Sequence, residues 1–552
     1  MPTVTDRRIG LLFLFFLAAL GVATLRAGWL GAIQAPRLQR AAATQQVQTI
    51  ALPAPRGTIT DRNGAVLAIS EPASDVSATP YLIRGPLRVA NELAPLLGTD
   101  TGSVLAKLSE RSGFVYLAKR LPASRAQQIA KLRIDGITLT PSSRRVYPRD
   151  WLASQLLGAA SDTAGRGLGF EYGEDRVLRG EDGIRKVVSD ALGQPISIQD
   201  ARPTIPGRAV QLTIDANVQD KVESVLEGVG QVYRPRGATA IVMDPQTDQI
   251  LALANWPRVD ANDPGGAPPY AQQDRAVGFT YEPGSTFKAI TVAGALQDGV
   301  VTPDTPIDVP YELPVADRIL HDAEAHGDET LSVADVLKQS SNIGAVRIAQ
   351  MTGVRRFSQW VSAFGFGART GVALPGEERG IVPTYAQYSG SSIANLPIGQ
   401  GLAVTAMQML TAYGAIANGG ILRTPQIVES IDGRAVRTPA GRRVISPQTA
   451  ASVRDMLRGV LAAGGTASEA SIPGYDLAGK TGTAQKVDPD GQYSRTRYIA
   501  SFMGFAPASN PALLVSVVVD EPQGAIYGGE VAAPAFQKIV AFALPYLGIR
   551  PS

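Results

Sequence analysis

Residues 283–288 read Pro-Gly-Ser-Thr-Phe-Lys, and the apolar run Ala-Ile-Thr-Val-Ala-Gly-Ala-Leu follows directly. The run predicts a helix over 285–297 that stops at Gly299, with Pro283 and Gly284 marking its start. Positions i and i+3 share one helix face, so the Lys288 amine can stand over the Ser285 hydroxyl. A helix N-terminus also turns free N–H groups towards charge developing on the serine. Alone, a Ser-x-x-Lys pair describes a solvated surface pair equally well.

Two further motifs lie downstream. Ser340-Ser341-Asn342 falls within or at the end of a predicted helical stretch (333–351), and Lys480-Thr481-Gly482-Thr483 lies on a predicted strand (475–486). The order Ser-x-x-Lys, Ser-x-Asn, Lys-Thr-Gly is the set found in penicillin-binding proteins and serine β-lactamases. The chemistry explains the residue types. A serine hydroxyl is a poor nucleophile and needs a neighbouring base. Lysine serves if burial or a second cation lowers its pKa, and Lys480 can be that cation. Ser340 can relay a proton, and Asn342 can hold Lys288 or a substrate amide. The strand at 480–483 can pair with an extended peptide, and Gly482 lets it approach closely. Lys480, Thr481 and Thr483 suit a substrate carboxylate. The N–H groups of Ser285 and Thr483 are the expected oxyanion hole.

Composition fits this chemistry. The 552 residues contain no Cys and two His, His321 and His326, so thiol nucleophiles, disulfides and thiolate metal sites are excluded. Hydrophobic residues at 45% and charged residues at 18% supply real cores and exclude wholesale disorder. A net charge of +3 gives no reason to expect a nucleic-acid partner. Length alone suggests three or four domains at about 150 residues each, with two large ones also possible.

At the N-terminus, residues 9–25 form an uncharged apolar run that continues after Arg26 to Ile33. This reads as a single spanning anchor over 9–33, because no small-x-small cleavage site directly follows the run. Arg7 and Arg8 favour residues 1–8 inside the cytoplasm, although Arg26, Arg37 and Arg40 weaken the charge rule. Pro203, Pro206 and Gly207 mark a boundary between a pedestal (34–206) and a larger domain (207–552).

In the pedestal, 58–70 reads as a hairpin about Asn63-Gly64, with helices over 84–97, 123–132 and 151–159. In the larger domain, a strand at 210–215 and a helix at 217–229 precede a hairpin of 237–243 and 249–255. A helix is expected at 403–418, strands at 475–486, 498–505 and 513–520, and a closing helix at 531–547. His321-Asp322-x-x-x-His326 lacks a third ligand pattern and reads as a polar loop, so no metal and no cofactor is expected. Gly399-Gln400-Gly401 lacks a phosphate-loop lysine and reads as a tight helix entry, and Gly165-Arg166-Gly167-x-Gly169 is no stronger as a nucleotide signal. Arg56, Arg145 and Glu171 read as ordinary surface pairs on their residues alone.

Beyond the three motifs, the chain resembles the class B penicillin-binding proteins, monofunctional peptidoglycan DD-transpeptidases. The resemblance rests on residues 56–64 (Arg-Gly-Thr-Ile-Thr-Asp-Arg-Asn-Gly), on 145–148 (Arg-Val-Tyr-Pro), on 167–171, and on Leu212-Thr213-Ile214-Asp215 with Gln219. Tyr281-Glu282 before the first motif and Ala484-Gln485-Lys486 after the third extend it. Ser340-Ser341-Asn342-Ile343-Gly344 and residues 528–534 resemble the septal, FtsI-like branch.

The resemblance implies an α+β fold with an N-terminal transmembrane helix, a dimerisation-type pedestal and a β-lactamase-like domain of antiparallel sheet and helices. It implies a catalytic set of Ser285, Lys288, Ser340, Asn342 and Lys480, with Thr481, Gly482 and Thr483 binding substrate. It also suggests an inter-domain polar network of Arg56, Arg145 and Glu171 in place of surface pairs. The implied ligands are D-Ala-D-Ala stem peptides, an amine acceptor and β-lactams. The implied partners are a SEDS-family (FtsW-like) glycosyltransferase and other divisome membrane proteins, with the catalytic domain extracytoplasmic. An elongation-type enzyme, a DD-carboxypeptidase or β-lactamase of the same fold, and a non-catalytic β-lactam sensor or division scaffold are the alternatives.

Overall fold

The computed structural model describes residues 4–30, 47–161, 167–189 and 195–551. The end of the expected anchor (31–33), Arg37, Arg40, Gly165 and Arg166 lie outside the described residues. Val4–Trp29 is a helix. Its stretch Ile9–Trp29 has a mean hydropathy of 2.2 over 21 residues and is not buried. At about 1.5 Å per residue that length suffices to cross a bilayer.

Two compact units follow from the contacts. The first comprises Met1–Pro55, Glu71–Arg144 and Arg179–Gly207, and the second Arg56–Ser70, Arg145–Leu178 and Arg208–Ser552. The second unit therefore recruits two stretches that precede the sequence boundary at 206/207. Arg56, Arg145 and Glu171 all belong to that second unit, so their pairing is internal to it.

In the first unit, helices Pro86–Leu97, Thr101–Leu108 and Ala123–Lys131 close over strand Val115–Pro122. Val89, Leu93, Val104, Leu108, Leu117 and Ile129 form the core between them. Asp100 starts the middle helix by accepting the Ser103 N–H at 2.8 Å. Strands Val47–Leu52, Gly183–Ser189 and Pro195–Arg202 form a separate antiparallel sheet.

The second unit is built on a five-stranded antiparallel sheet. Its strands are β1 (Gly237–Asp244), β2 (Gln249–Trp256), β3 (Ala478–Val487), β4 (Tyr493–Ala506) and β5 (Leu513–Asp520), in the order β2-β1-β5-β4-β3. Most positions of β1, β2, β5 and the second half of β4 are apolar, and the two-residue period sorts their side chains between two cores, whereas β3 carries the polar third motif. Ala238, Ala240, Val242, Phe502, Val515 and Val517 pack against helices α1 (Ala216–Tyr233) and α7 (Ala533–Tyr546). Ile241, Met243, Met503, Phe505, Leu514 and Val518 face the opposite core. That core holds α2 (Lys288–Gln297), α3 (Val333–Gln339), α4 (Asn342–Thr352), α5 (Ala406–Ala417) and α6 (Pro447–Arg458).

Three local expectations change. The stretch expected as one helix over 333–351 is two helices, α3 and α4, broken at Ser340-Ser341. The helix expected at 151–159 shrinks to Ser154–Leu157, bounded by left-handed Ala153 and by Gly158. Asn63-Gly64 is not a bare two-residue turn. The Asp61 carboxylate accepts the N–H groups of Asn63 at 2.9 Å and Ala65 at 2.7 Å, and the register slips between Ile59 and Thr60.

Candidate active site

Ser285 lies in a 3-10 turn, Gly284–Phe287, that runs into α2. The expected single helix thus begins with a tighter turn. Several contacts fix it. The Thr286 hydroxyl donates to Pro283 O at 2.7 Å, and the buried Tyr413 hydroxyl of α5 donates to Thr286 O at 2.6 Å. Gly284 takes φ +55° and donates its N–H to Gly399 O at 3.0 Å. A Cβ on Gly399 would lie 2.1 Å from Gly284 O, so the glycine read as a helix entry instead lets two chain segments touch beside the serine.

Ser285, Asn342, Thr483 and Gln485 line a cleft of about 290 Å³, together with Arg318, His321 and Tyr493. Lys288 and Lys480 are fully buried and do not line it. Lys288 Nζ donates to Asn342 Oδ1 at 2.7 Å, to Ser340 Oγ at 3.3 Å and to Ser340 O. The expected Lys288–Ser340–Asn342 grouping is therefore assembled. Among the described residues the Ser285 hydroxyl makes no hydrogen bond to Lys288. Burial pushes Lys288 down to about 7, partly opposed by the carboxylate of Asp322. Burial, then the neighbouring Lys288, hold Lys480 well below the ordinary lysine range.

The third motif sits on β3, an edge strand of the sheet. Thr483 reaches the cleft, and its hydroxyl accepts the Gly528 N–H at 3.1 Å. Thr481 is buried against Thr466, hydroxyl to hydroxyl at 2.7 Å. Lys480 on the same strand is fully buried. A Cβ on Gly482 would lie 2.9 Å from Pro283 O and 2.4 Å from Ser501 Oγ, so the glycine lets β3 pack on the Ser285 turn.

Asp322 was missed by the motif reading. Its Oδ1 accepts the backbone N–H groups of Asn342 and, at 3.0 Å, of Ile343. The only sequence signal was its place between His321 and His326. Among the described residues no group of three or more His, Cys, Asp or Glu is placed so that it could hold a metal ion.

Ser285 at the cleft and the buried Lys288 three residues on carry the Ser-x-x-Lys arrangement of the active-serine acyltransferases. Residues 238–541 match the penicillin binding protein transpeptidase domain, and residues 51–212 the penicillin-binding protein dimerisation domain. The chain belongs to the penicillin-binding protein transpeptidase family, and the two domains together make it a class B member. It is 34% identical to penicillin-binding protein PbpB of Mycolicibacterium smegmatis over 581 residues, covering 96% of this chain and 89% of that protein. It is 32% identical to peptidoglycan D,D-transpeptidase FtsI of Escherichia coli, covering 99% and 92%. The crystal structure of penicillin binding protein 3 from Mycobacterium tuberculosis complexed with aztreonam superimposes with a TM-score of 0.71 at 30% identity, covering 91% of this chain and 98% of that one.

Proposed function

We propose that this protein is a serine D-Ala-D-Ala transpeptidase that crosslinks peptidoglycan stem peptides during septal wall synthesis. One observation carries the reading. A lysine brought to about 7 by burial is held by Ser340 and Asn342 beside a cleft that Ser285 and Thr483 line. Neutral Lys288 takes the Ser285 hydroxyl proton as Oγ bonds to the carbonyl carbon of the penultimate D-Ala. Lys480 lies buried beside it, its own amine held well below the ordinary lysine range by burial and by Lys288. The Ser285 and Thr483 N–H groups receive the oxyanion. The proton passes through Ser340 to the leaving D-Ala amine as the C–N bond breaks, leaving an acyl-enzyme ester. A second stem peptide's amine then attacks that ester and returns a proton to Lys288, and Ser285 departs with its hydroxyl restored.

The septal reading is supported by Ser340-Ser341-Asn342-Ile343-Gly344, by residues 528–534 and by the likeness to FtsI. In the same reading, residues 9–33 anchor the chain with 1–8 cytoplasmic. The pedestal (34–206) and the transpeptidase domain (207–552) then stand outside the membrane. The partners are a SEDS-family glycosyltransferase (FtsW-like) and other divisome proteins. β-lactams acylate Ser285 and leave slowly.

The test is covalent labelling by a fluorescent penicillin. Wild type labels, Ser285→Ala does not, and persistent labelling of the alanine variant overturns the assignment. Crosslinked dimers made from stem-peptide substrate, rather than D-Ala release alone, separate transpeptidation from carboxypeptidation. A fluorescent fusion at midcell supports the septal branch, and lateral-wall placement rejects it.

A further inference from the structure

The junction between α3 and α4 carries two parts of the site, and a residue from a distant loop holds it. Ser341 caps α4 by accepting the Gly344 N–H at 2.9 Å. A capping side chain reaches the second or third N–H of a helix and leaves the earliest ones unpaired. Asp322 supplies those. Its Oδ1 accepts both Asn342 N–H and Ile343 N–H, and its side chain is 9% exposed. The negative charge also suits the positive end of α4. The Asn342 amide is gripped from the same loop, since Nδ2 donates to His321 O at 3.0 Å while Oδ1 faces Lys288.

We propose that Asp322 is a positioning residue of the acyl transfer, pinning the Asn342 backbone so that the Asn342 amide oxygen and the Ser340 carbonyl and hydroxyl stay on Lys288. The inference rests on the transpeptidase reading above. Asp322 acts through Asn342 and touches no substrate. Its charge has a second effect: it supports the ammonium form of Lys288 against burial. The charged groups involved are few. Lys288 faces Asp322 and Lys480, whereas the other oxygen of Asp322 faces His326 Nε2 at 3.2 Å, and His326 Nδ1 lies 3.6 Å from Glu329.

Two substitutions separate positioning from mere structure. Asp322→Asn keeps an oxygen for the two N–H groups and removes the charge, while Asp322→Ala removes both. The measurement is the second-order rate of acylation by fluorescent penicillin against pH, on the detergent-solubilised full chain, with melting midpoints in parallel. Asp322→Asn is expected to keep the plateau rate within about threefold and to move the rising limb to lower pH. Asp322→Ala is expected to lose about 10- to 100-fold at the plateau, as misplaced catalytic groups do. If Asp322→Ala fails to fold, Asp322→Ser, whose shorter side chain cannot hold both N–H groups, decides: a plateau loss of about tenfold upholds the proposal and a wild-type plateau overturns it. Melting losses with both profiles unchanged also overturn it. Ser285→Ala, run alongside, tests the nucleophile assignment separately. Labelling of that variant would sink the enzyme reading whatever the Asp322 variants do.

Discussion

Ser340 hands Lys288 its hydroxyl and its carbonyl together, because its backbone is left-handed (φ 65°, ψ 36°) between two helices. That conformation costs a non-glycine residue about 1–2 kcal/mol, so strain is held at the residue proposed as the proton relay.

Ser340→Gly removes this strain but adds glycine's own entropy cost. Stability is expected to stay level or rise by up to about 1 kcal/mol, while acylation falls about 10²-fold for want of the hydroxyl. Ser340→Ala retains the strain and loses the same rate. Denaturant melts and penicillin acylation rates check both. A glycine variant that acylates at the wild-type rate removes the relay from the mechanism.

The pH behaviour of Lys288 gives the second expectation. Burial takes it from an ordinary 10.5 to about 7. A neutral base is needed, so acylation should rise with pH through about 7 and then level off. The stability effect has the same direction. Below about 7 the lysine is charged in both the folded and unfolded states, and the cost of burying the charge is fully present. Between about 7 and 10.5 the unfolded chain binds the extra proton, so wild type gains stability relative to Lys288→Met as pH rises. Melting midpoints of the pair across that range check the slope, and a constant difference contradicts it.

Much of this site was legible because its chemistry is short-range in sequence. Ser285 and Lys288 sit on one helical start, and Lys480 to Thr483 share one strand. The break at Ser340 was not legible. Apolar periodicity continues on both sides of it, and a serine in the left-handed region leaves no pattern. Asp322 was hidden for another reason: it meets Asn342 across 20 residues, through a loop whose histidines suggested a different question. The close packing of the Pro283 carbonyl on Gly482 was hidden as well, because the two lie about 200 residues apart in sequence.

That contact sets the third expectation. In Gly482→Ala the Ser501 hydroxyl can rotate away from the new Cβ, but Pro283 O, 2.9 Å from it, is backbone. The edge strand must then part from the Ser285 turn. A loss of about 1–3 kcal/mol is expected, as for overpacking elsewhere. Acylation should fall as well, because Thr483 moves with the strand. A variant that melts and acylates as wild type shows that the turn yields freely.

Glu171 tests the surface-pair reading of the arginine cluster, whose members all lie within the second unit. Its side chain is fully buried, and its carboxylate accepts from Arg56 Nε, from Arg145 Nε at 2.6 Å and from the Tyr147 hydroxyl at 3.3 Å. Arg56 also pairs with Asp175, and Arg145 donates to Gly57 O at 2.8 Å. Such a carboxylate cannot be an ordinary surface partner. Glu171→Gln leaves two guanidinium groups facing a neutral amide, and about 3–5 kcal/mol should be lost, as when one member of a buried ion pair is removed. Asp432→Asn is the matching control. Its pair with Arg208 is solvent-exposed, so the melting midpoint should hardly move. Glu171 contributes no atom to the cleft, so acylation per folded molecule should be unchanged in Glu171→Gln. Equal melting of the two variants would return the cluster to the surface-pair reading. A lower rate per folded molecule would mean that the network also holds the Ser285 turn in place.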